Sequence, residues 1–408
     1  MKIDTLIFRE NFKKIIETTL SDFFKDLYGN EHYINFKRNS FKLKKSSSIQ
    51  NWYCNPLINS IFIKRVDKSV FNSINGEYHF NPIKPWKSFI QRFYLFLSQS
   101  SLLRAPMSTY LLEISPKIED PECKLIIGGN KKLRLIDIRN KEVFVILKNG
   151  FNKKYIERDK FIRDNFEHLP LPKIIKTGKT NLWYSEEYIV GVPPNRLKQK
   201  NANNIIEKAV LDIRKLNSIT KKEIEIESYL NNLKAKIDLL IKEIPCIDNK
   251  LKIMLIQIIQ VLVDELMRSK KNKIFISQCH GDFHQGNVLT NGKQYWILDW
   301  ENSATNQMGY DLFIYLLDSR TDVGFSAKFF KLLNSDFDNI KTRMINYWPE
   351  LIEDDYKLKK EYLLFFLLEE ILFYLDELNN KIFQKDPLAL KIRLHEFKII
   401  CKKFNLLQ

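Results

Sequence analysis

Cysteine is scarce and unorganised in this chain of 408 residues. Cys54, Cys123, Cys246, Cys279 and Cys401 are odd in number and scattered. That distribution speaks against a disulfide framework and for a reducing compartment. No pair has C-x-x-C spacing, so a cysteine-built zinc site is not expected. Long apolar runs are missing as well. The first residues hold no extended hydrophobic segment of a secretory leader. The most apolar stretch, residues 362–375, is interrupted by Glu369 and Glu370 and is too short to span a bilayer. It reads as a buried helix. No repeat of fixed period occurs. Together these absences predict a cytoplasmic globular protein without a transmembrane segment.

Acidic residues are outnumbered: 66 Lys and Arg stand against 49 Asp and Glu, a net charge of +17. The lysines are spread along the chain and form no single basic stripe. Arg-Gly and zinc-finger motifs are absent, so nucleic acid is not an expected partner. Part of the excess suits an anionic small ligand.

What is present is concentrated in one segment. His280-Gly281-Asp282-Phe283-His284-Gln285-Gly286-Asn287 is followed, twelve residues after Asn287, by Asp299 in Ile-Leu-Asp-Trp-Glu. The spacing H-x-D-x-x-x-x-N supplies a carboxylate to accept a hydroxyl proton and an amide to ligate magnesium, the groups that phosphoryl transfer requires. Residues 273–278 read as a strand leading into this loop. Residues 288–290 and 295–298 read as two more, joined by the turn signal Asn291-Gly292. Asp299 then ends an apolar strand, a rigid place for a metal ligand. Magnesium takes hard oxygen donors and only one or two carboxylates beside phosphates, which Asn287 and Asp299 match. A plain hydrogen-bonded turn is the competing reading. The coincidence of spacing, hairpin and Asp favours phosphotransfer. His280 is expected to orient the loop backbone; His284 either does the same or faces the substrate.

These residues, with Leu298-Asp299-Trp300-Glu301, resemble the aminoglycoside phosphotransferase and choline kinase family of small-molecule kinases. The resemblance implies a protein-kinase-like fold, ATP and Mg²⁺ as cofactors, and Asp282 as the base. It also implies a structural role for Asp311, in Gly309-Tyr310-Asp311-Leu312, bracing the catalytic loop. Where the family often has Leu-His, this chain has Leu216-Asn217.

A kinase also needs a phosphate lysine, an acidic partner for it, and a hinge. Residues 133–138 and 143–147 read as strands, and Lys148 ends the second, resembling the kinase strand whose lysine pairs the phosphates. Gly128-Gly129 is either a tight turn over the triphosphate or an ordinary hairpin turn. Residues 153–166 read as a helix ended by Pro170 in Leu-Pro-Leu-Pro. Glu157 on it is the expected partner of Lys148, with Asp159 the rival. Residues 182–191 resemble the family hinge, where backbone groups near Glu187 to Ile189 would meet adenine.

The expected fold class is α+β, with a small β-rich nucleotide lobe and a larger, mainly helical lobe. Residues 1–120 form an N-terminal extension outside the resemblance, with helix candidates at residues 12–27 and 85–99 and a polar Lys/Ser stretch at residues 42–50. Residues 121–192 form the nucleotide lobe with a hinge at 184–192, and residues 193–408 the catalytic lobe. The expected activity is ATP-dependent phosphorylation of a hydroxyl on a small molecule such as an amino alcohol, amino sugar or other sugar. Glu301, Glu369, Glu370 and Asp376 are either solvated charges or attractors of a cationic acceptor. Two alternatives stay open: a kinase-like module acting on a macromolecule, and a catalytically silent nucleotide binder.

Overall fold

The structure is a computed structural model describing residues 2–39, 48–78, 85–320, 324–334, 339–353, 358–380, 382 and 387–403. Most of the polar stretch at 42–50 lies outside them. The chain forms two compact units, one of residues 1–198 and 289–301, the other of 199–288 and 302–408.

The first unit is built on a nine-stranded sheet. Its strands are β1 (Tyr33–Arg38), β2 (Gln50–Asn55), β3 (Ser60–Ile63), β4 (Tyr110–Ser115), β5 (Lys124–Gly128), β6 (Lys132–Asp137), β7 (Glu142–Leu147), β8 (Ile174–Thr177) and β9 (Trp183–Glu187). The order is β1-β4-β2-β3-β5-β6-β7-β9-β8. The N-terminal region is therefore no separate body. Its strand β3 pairs with β5 through Ser60↔Ile127 and Ile61↔Ile126, continuing the sheet. Strand β7, with the sequence Glu-Val-Phe-Val-Ile-Leu, is buried at every position, as a central strand covered on both faces must be.

One cover comes from the N-terminus. Helices α1 (Ile3–Arg9) and α2 (Phe12–Tyr28) precede the sheet. Asn11 caps α2 by accepting from the Lys14 N–H, and Gly29 ends it at φ 77°, a conformation glycine adopts without the strain a Cβ brings. Phe12, Ile16, Leu20, Phe23 and Phe24 recur at helical spacing and share one core with Trp52, Phe144, Ile146 and Trp183. Truncating an aromatic such as Phe23 to Ala in this core would cost roughly 3–5 kcal/mol. Helices α3 (Lys68–Tyr78), α4 (Pro85–Gln99) and α5 (Lys154–Asn165) complete the helices of this unit.

The second unit is mainly helical. It begins with α6 (Gln199–Thr220), β10 (Lys222–Glu225), α7 (Ile226–Glu243), α8 (Asn249–Met267) and β11 (Lys273–Cys279). The hairpin β12 (Val288–Thr290) and β13 (Tyr295–Ile297) follows, then β14 (Ala304–Gln307). From Leu289 the hairpin belongs to the first unit: Thr290 bridges Val192, and the Ile297 N–H donates to Pro170 O at 2.8 Å. Strand β11 lies between β10 and β14 and delivers the His280 loop from its end. Among the described residues that follow are the helices α9 (Tyr310–Leu317), α10 (Phe325–Leu333), α11 (Asn339–Asn346), α12 (Lys360–Leu378) and α13 (Leu388–Lys403). The apolar stretch read as a buried helix is α12, and both of its glutamates, Glu369 and Glu370, are buried within it. Among the described residues, no helix is long and apolar enough to cross a membrane.

Candidate active site

The loop from His280 to Asn287 is fixed by polar groups of its own and by Asp311 and Arg320 outside it. Asp311, at the start of α9, accepts the backbone N–H of His280 at 2.6 Å and of Gly281 at 2.9 Å. Gly281 sits at φ 84°, and a Cβ built there would lie 2.1 Å from the carbonyl oxygen of Asn302, so this position demands glycine. The fully buried His280 ring accepts the Asp282 N–H through Nδ1 at 3.2 Å. His284 likewise accepts the Gly286 N–H through Nδ1 at 3.0 Å, and its Nε2 lies 3.8 Å from Asp282 Oδ2. Asn287 Nδ2 donates to Asp282 O at 2.9 Å and, more weakly, to its Oδ2 at 3.4 Å. With the nitrogen so committed, Oδ1 is the atom of Asn287 suited to a cation. One more anchor comes from the family departure. Asn217, buried on α6, donates to Gln278 O at 2.9 Å and accepts from Trp348 Nε1 at 3.2 Å, tying the end of β11 in place.

Sequence reasoning missed Arg320. Its Nε donates to Asp282 Oδ1 at 2.6 Å, its Nη1 to both oxygens of Glu370 at 3.0 and 2.8 Å, and its Nη2 to Gly281 O at 3.1 Å. Glu370 also accepts from Tyr310 Oη at 2.8 Å. A planar guanidinium with five donors in a fixed fork suits this three-way hold. Glu369, one residue earlier, accepts Tyr229 Oη and the Gln307 N–H through Oε1, while the buried Oε2 has no partner among the described residues. Burial pushes its carboxyl up to about 8, as expected when a carboxylate is removed from water without a cation. Neither glutamate is a solvated charge.

In the first unit Asp299, at φ 61°, lies within a cluster of opposite charges. Lys132 Nζ lies 3.2 Å from Asp299 Oδ1, 3.1 Å from Asp159 Oδ2 and 3.0 Å from Glu301 Oε2. Arg134 bonds Asp299 Oδ1 as well. Asp159 further accepts from Tyr184 Oη at 2.8 Å and Arg163 Nε at 3.0 Å. Burial disfavours the Asp299 carboxylate, but the adjacent Arg134 and Lys132 charges outweigh it and hold the group well below the usual carboxylate range. Asp299 is thus an ionised hard-oxygen donor. Such an oxygen is the kind of donor that Mg²⁺, which needs few protein ligands, takes. Among the described residues no cluster of three or more His, Cys, Asp or Glu suits a metal by itself.

The expected lysine pair requires correction. Lys148 Nζ bonds Glu10, between α1 and α2, together with Asn130 O at 2.7 Å and Gly129 O at 3.3 Å. Both charged side chains are fully buried. Glu157 is exposed on α5, whereas its rival Asp159 is buried and holds Lys132. The reason is strand parity. Side chains alternate along β7, so Lys148 follows Phe144 and Ile146 toward the helix-covered face. Gly129 is required by close approach, since a Cβ there would meet Lys132 O at 2.5 Å. A Cβ on Gly128 would strike Ile3. At the expected hinge, the Glu187 N–H is spent on Lys173 O at 3.0 Å and the Tyr188 N–H on Lys141 O at 2.8 Å. Among these three positions, Ile189 keeps an N–H not committed within the described residues.

Comparison with known proteins identifies the family. The family model for choline/ethanolamine kinase matches residues 184–392. No curated protein matches the chain in sequence. Similar solved structures include an ethanolamine kinase of Plasmodium vivax, at 14% identity and TM-score 0.44, covering 82% of this chain and 95% of its own. A choline kinase of Cryptosporidium parvum Iowa II has 13% identity and TM-score 0.45, covering 71% of this chain and 93% of its own. The ADP-bound aminoglycoside phosphotransferase APH(2'')-Ib has 14% identity and TM-score 0.43, covering 66% and 89%. The match spans the expected hinge, the His280 loop, Asp299, Asp311 and α12. The chain, of α+β architecture, belongs to the choline/ethanolamine kinase family of small-molecule kinases.

Proposed function

We propose that this protein transfers the γ-phosphoryl group of ATP to a hydroxyl of a small molecule, an amino alcohol, an amino sugar or another sugar. The observation that carries the reading is the His280 loop: an Asp282 carboxylate and an Asn287 amide held in one frame by Asp311, His280 and Arg320. Asn287 and Asp299 are the residues that would hold Mg²⁺, which supplies charge neutralisation at the phosphates. Asp282 accepts the proton of the acceptor hydroxyl and orients its oxygen. Arg320 fixes one carboxylate oxygen, so the other is presented to the acceptor without rotamer search. Little covalent work is asked of the protein; positioning and charge account for the rate.

The Arg320 contact bears on the acceptor. The carboxylates of Glu369 and Glu370 are engaged by Tyr229 and Gln307 in one case, and by Arg320 and Tyr310 in the other. Both are buried and engaged within the fold, and not solvated charges awaiting a cationic acceptor. A neutral or sugar hydroxyl therefore fits as well as an amino alcohol.

The test is transfer of radiolabelled γ-phosphate from ATP, with Mg²⁺, to a panel of amino alcohols, amino sugars and neutral sugars. Proteins and nucleic acids are included as separate arms. Label on a small acceptor supports the reading. Label only on a macromolecule, or nucleotide binding with no transfer to any acceptor, defeats it.

A further inference from the structure

We infer that the nucleotide's phosphates are received by Lys132 of strand β6, with Asp159 of α5 as its positioning partner, and that strand β7 contributes no cation to them. This rests on the kinase reading above and names the group that reading leaves unassigned.

Two lysines compete for the role, and their surroundings separate them. An ammonium has three N–H donors. Both lysines are buried with three partners each, Lys148 holding Glu10, Asn130 O and Gly129 O and Lys132 holding Asp159, Asp299 and Glu301, so the identity of the partners is what separates them. The acceptors of Lys148 lie between α1 and α2 or in the turn before β6, and none is a carboxylate of α5 or of the Asp299 segment. Lys148 is a structural rivet.

Strand register supplies the second observation. Strands β6 and β7 pair through Lys132↔Leu147, Arg134↔Val145 and Ile136↔Val143. Directly paired residues point to the same face, and alternation puts Val143, Val145 and Leu147 together. The β7 side chains on the Lys132 face are therefore all apolar. The only charged residues of the two strands on that face are Lys132 and Arg134 of β6.

The partners of Lys132 supply the third. It is held by an acid of α5, Asp159, and lies 3.2 Å from Asp299, the proposed metal ligand. That is the pairing of lysine, helix acid and metal acid that phosphoryl transfer uses, with the lysine one strand over. Asp159 is itself immobilised by Tyr184 and Arg163, so the ammonium is held in one place. Arg134, bonded to the same Asp299 oxygen and still partly exposed, adds a second cation beside it.

The experiment is calorimetric binding of ATP, ADP and adenosine to the full-length chain and its variants, without acceptor. In Lys132→Met, affinity for ATP and ADP should fall about ten- to a hundredfold, the effect of losing a hydrogen bond between charged groups. Adenosine, which has no phosphate, should bind as before. A merely structural role would weaken all three alike and would overturn the inference. Lys148→Met should keep the ATP to adenosine affinity ratio of the parent. The exchange Lys132→Leu with Leu147→Lys restores a lysine at the directly paired position, and should recover part of the ATP affinity even if Lys132→Met folds poorly. Unchanged ATP affinity in Lys132→Met, with Lys148→Met losing it, overturns the inference while the kinase reading stands. If the folded parent chain binds no nucleotide, both fail together.

Discussion

Arg320 Nε lies 2.6 Å from Asp282 Oδ1, while the same guanidinium grips the buried Glu370 with Nη1. One cation therefore orients the proposed base and neutralises a core carboxylate. Replacing it separates the two duties. Arg320→Met should lower stability by about 3 kcal/mol, because it strands Glu370 without a counter-charge. It should also cut turnover on the order of a hundredfold. The double variant Arg320→Met with Glu370→Gln should regain most of the stability and none of the rate. Urea unfolding alongside steady-state kinetics checks both. Recovery of the rate in the double variant would show that Arg320 acts on Asp282 only through the fold.

Asp282→Asn keeps the shape of the loop and removes the proton acceptor. Turnover should fall by about a hundredfold or more, while ATP affinity changes little. A calorimetric titration and a phosphate-transfer assay on the same preparation measure the two quantities. Transfer at the parent rate would remove Asp282 from the mechanism.

The Lys148–Glu10 pair predicts a stability defect without a nucleotide defect. Lys148→Met leaves Glu10 charged in a dry interior, at a cost of about 3–5 kcal/mol. Adding Glu10→Gln should return part of it. Denaturant midpoints of the three variants decide the matter; additive losses would mean that the two side chains are not energetically coupled.

Glu369 gives a pH dependence with a definite sign. Its carboxyl is pushed up to about 8 in the folded protein from an ordinary value of 4.5. Between those values the folded chain holds a proton that the unfolded chain has released. Stability should therefore fall as pH rises from about 4.5 to about 8 and level off above that. Glu369→Gln should flatten this slope and gain on the parent most at pH 9. Midpoints of urea unfolding at pH 5, 7 and 9 would show it; parallel curves for the two proteins would exclude Glu369 as the source.

Gly281→Ala is the sharpest local test. The left-handed backbone and the Asn302 carbonyl both oppose a Cβ. The loop should distort, with activity falling far more than the melting temperature, because the clash lies at the site and away from the main core.

Much of the chain from residue 273 onward could be read directly. The strand before the loop, the Asn291-Gly292 turn with Gly292 at φ 90°, and the buried helix around Phe365 and Phe366 follow from local pattern and turn chemistry. The lysine proposed for the phosphates could not. Lys132 lies one residue before the strand expected from Leu133, and its carboxylate partners Asp299 and Glu301 are far away in sequence. Nor could Lys148 be seen to point into the sheet's covered side. That cover is α1 and α2, which lie over a hundred positions upstream, and nothing near Lys148 announces Glu10. Strands β1 to β4 were overlooked for a related reason. Their alternation is short, as in Tyr33-Ile34-Asn35-Phe36, and gains meaning only when β3 joins β5. Arg320 left no trace in sequence, since it follows α9 with no motif around it.

The return of residues 289–301 to the first unit has a consequence for descent. Asp299 and Glu301, which complete the charge cluster around Lys132, are encoded far downstream of the rest of that unit. A single recombination breakpoint after Lys198 would carry off the sheet and leave its carboxylates behind. A working first unit passes between lineages only through a double exchange, or inside the whole gene. The two units are thereby bound to a shared history, and lysine and carboxylates change in step or lose their pairing.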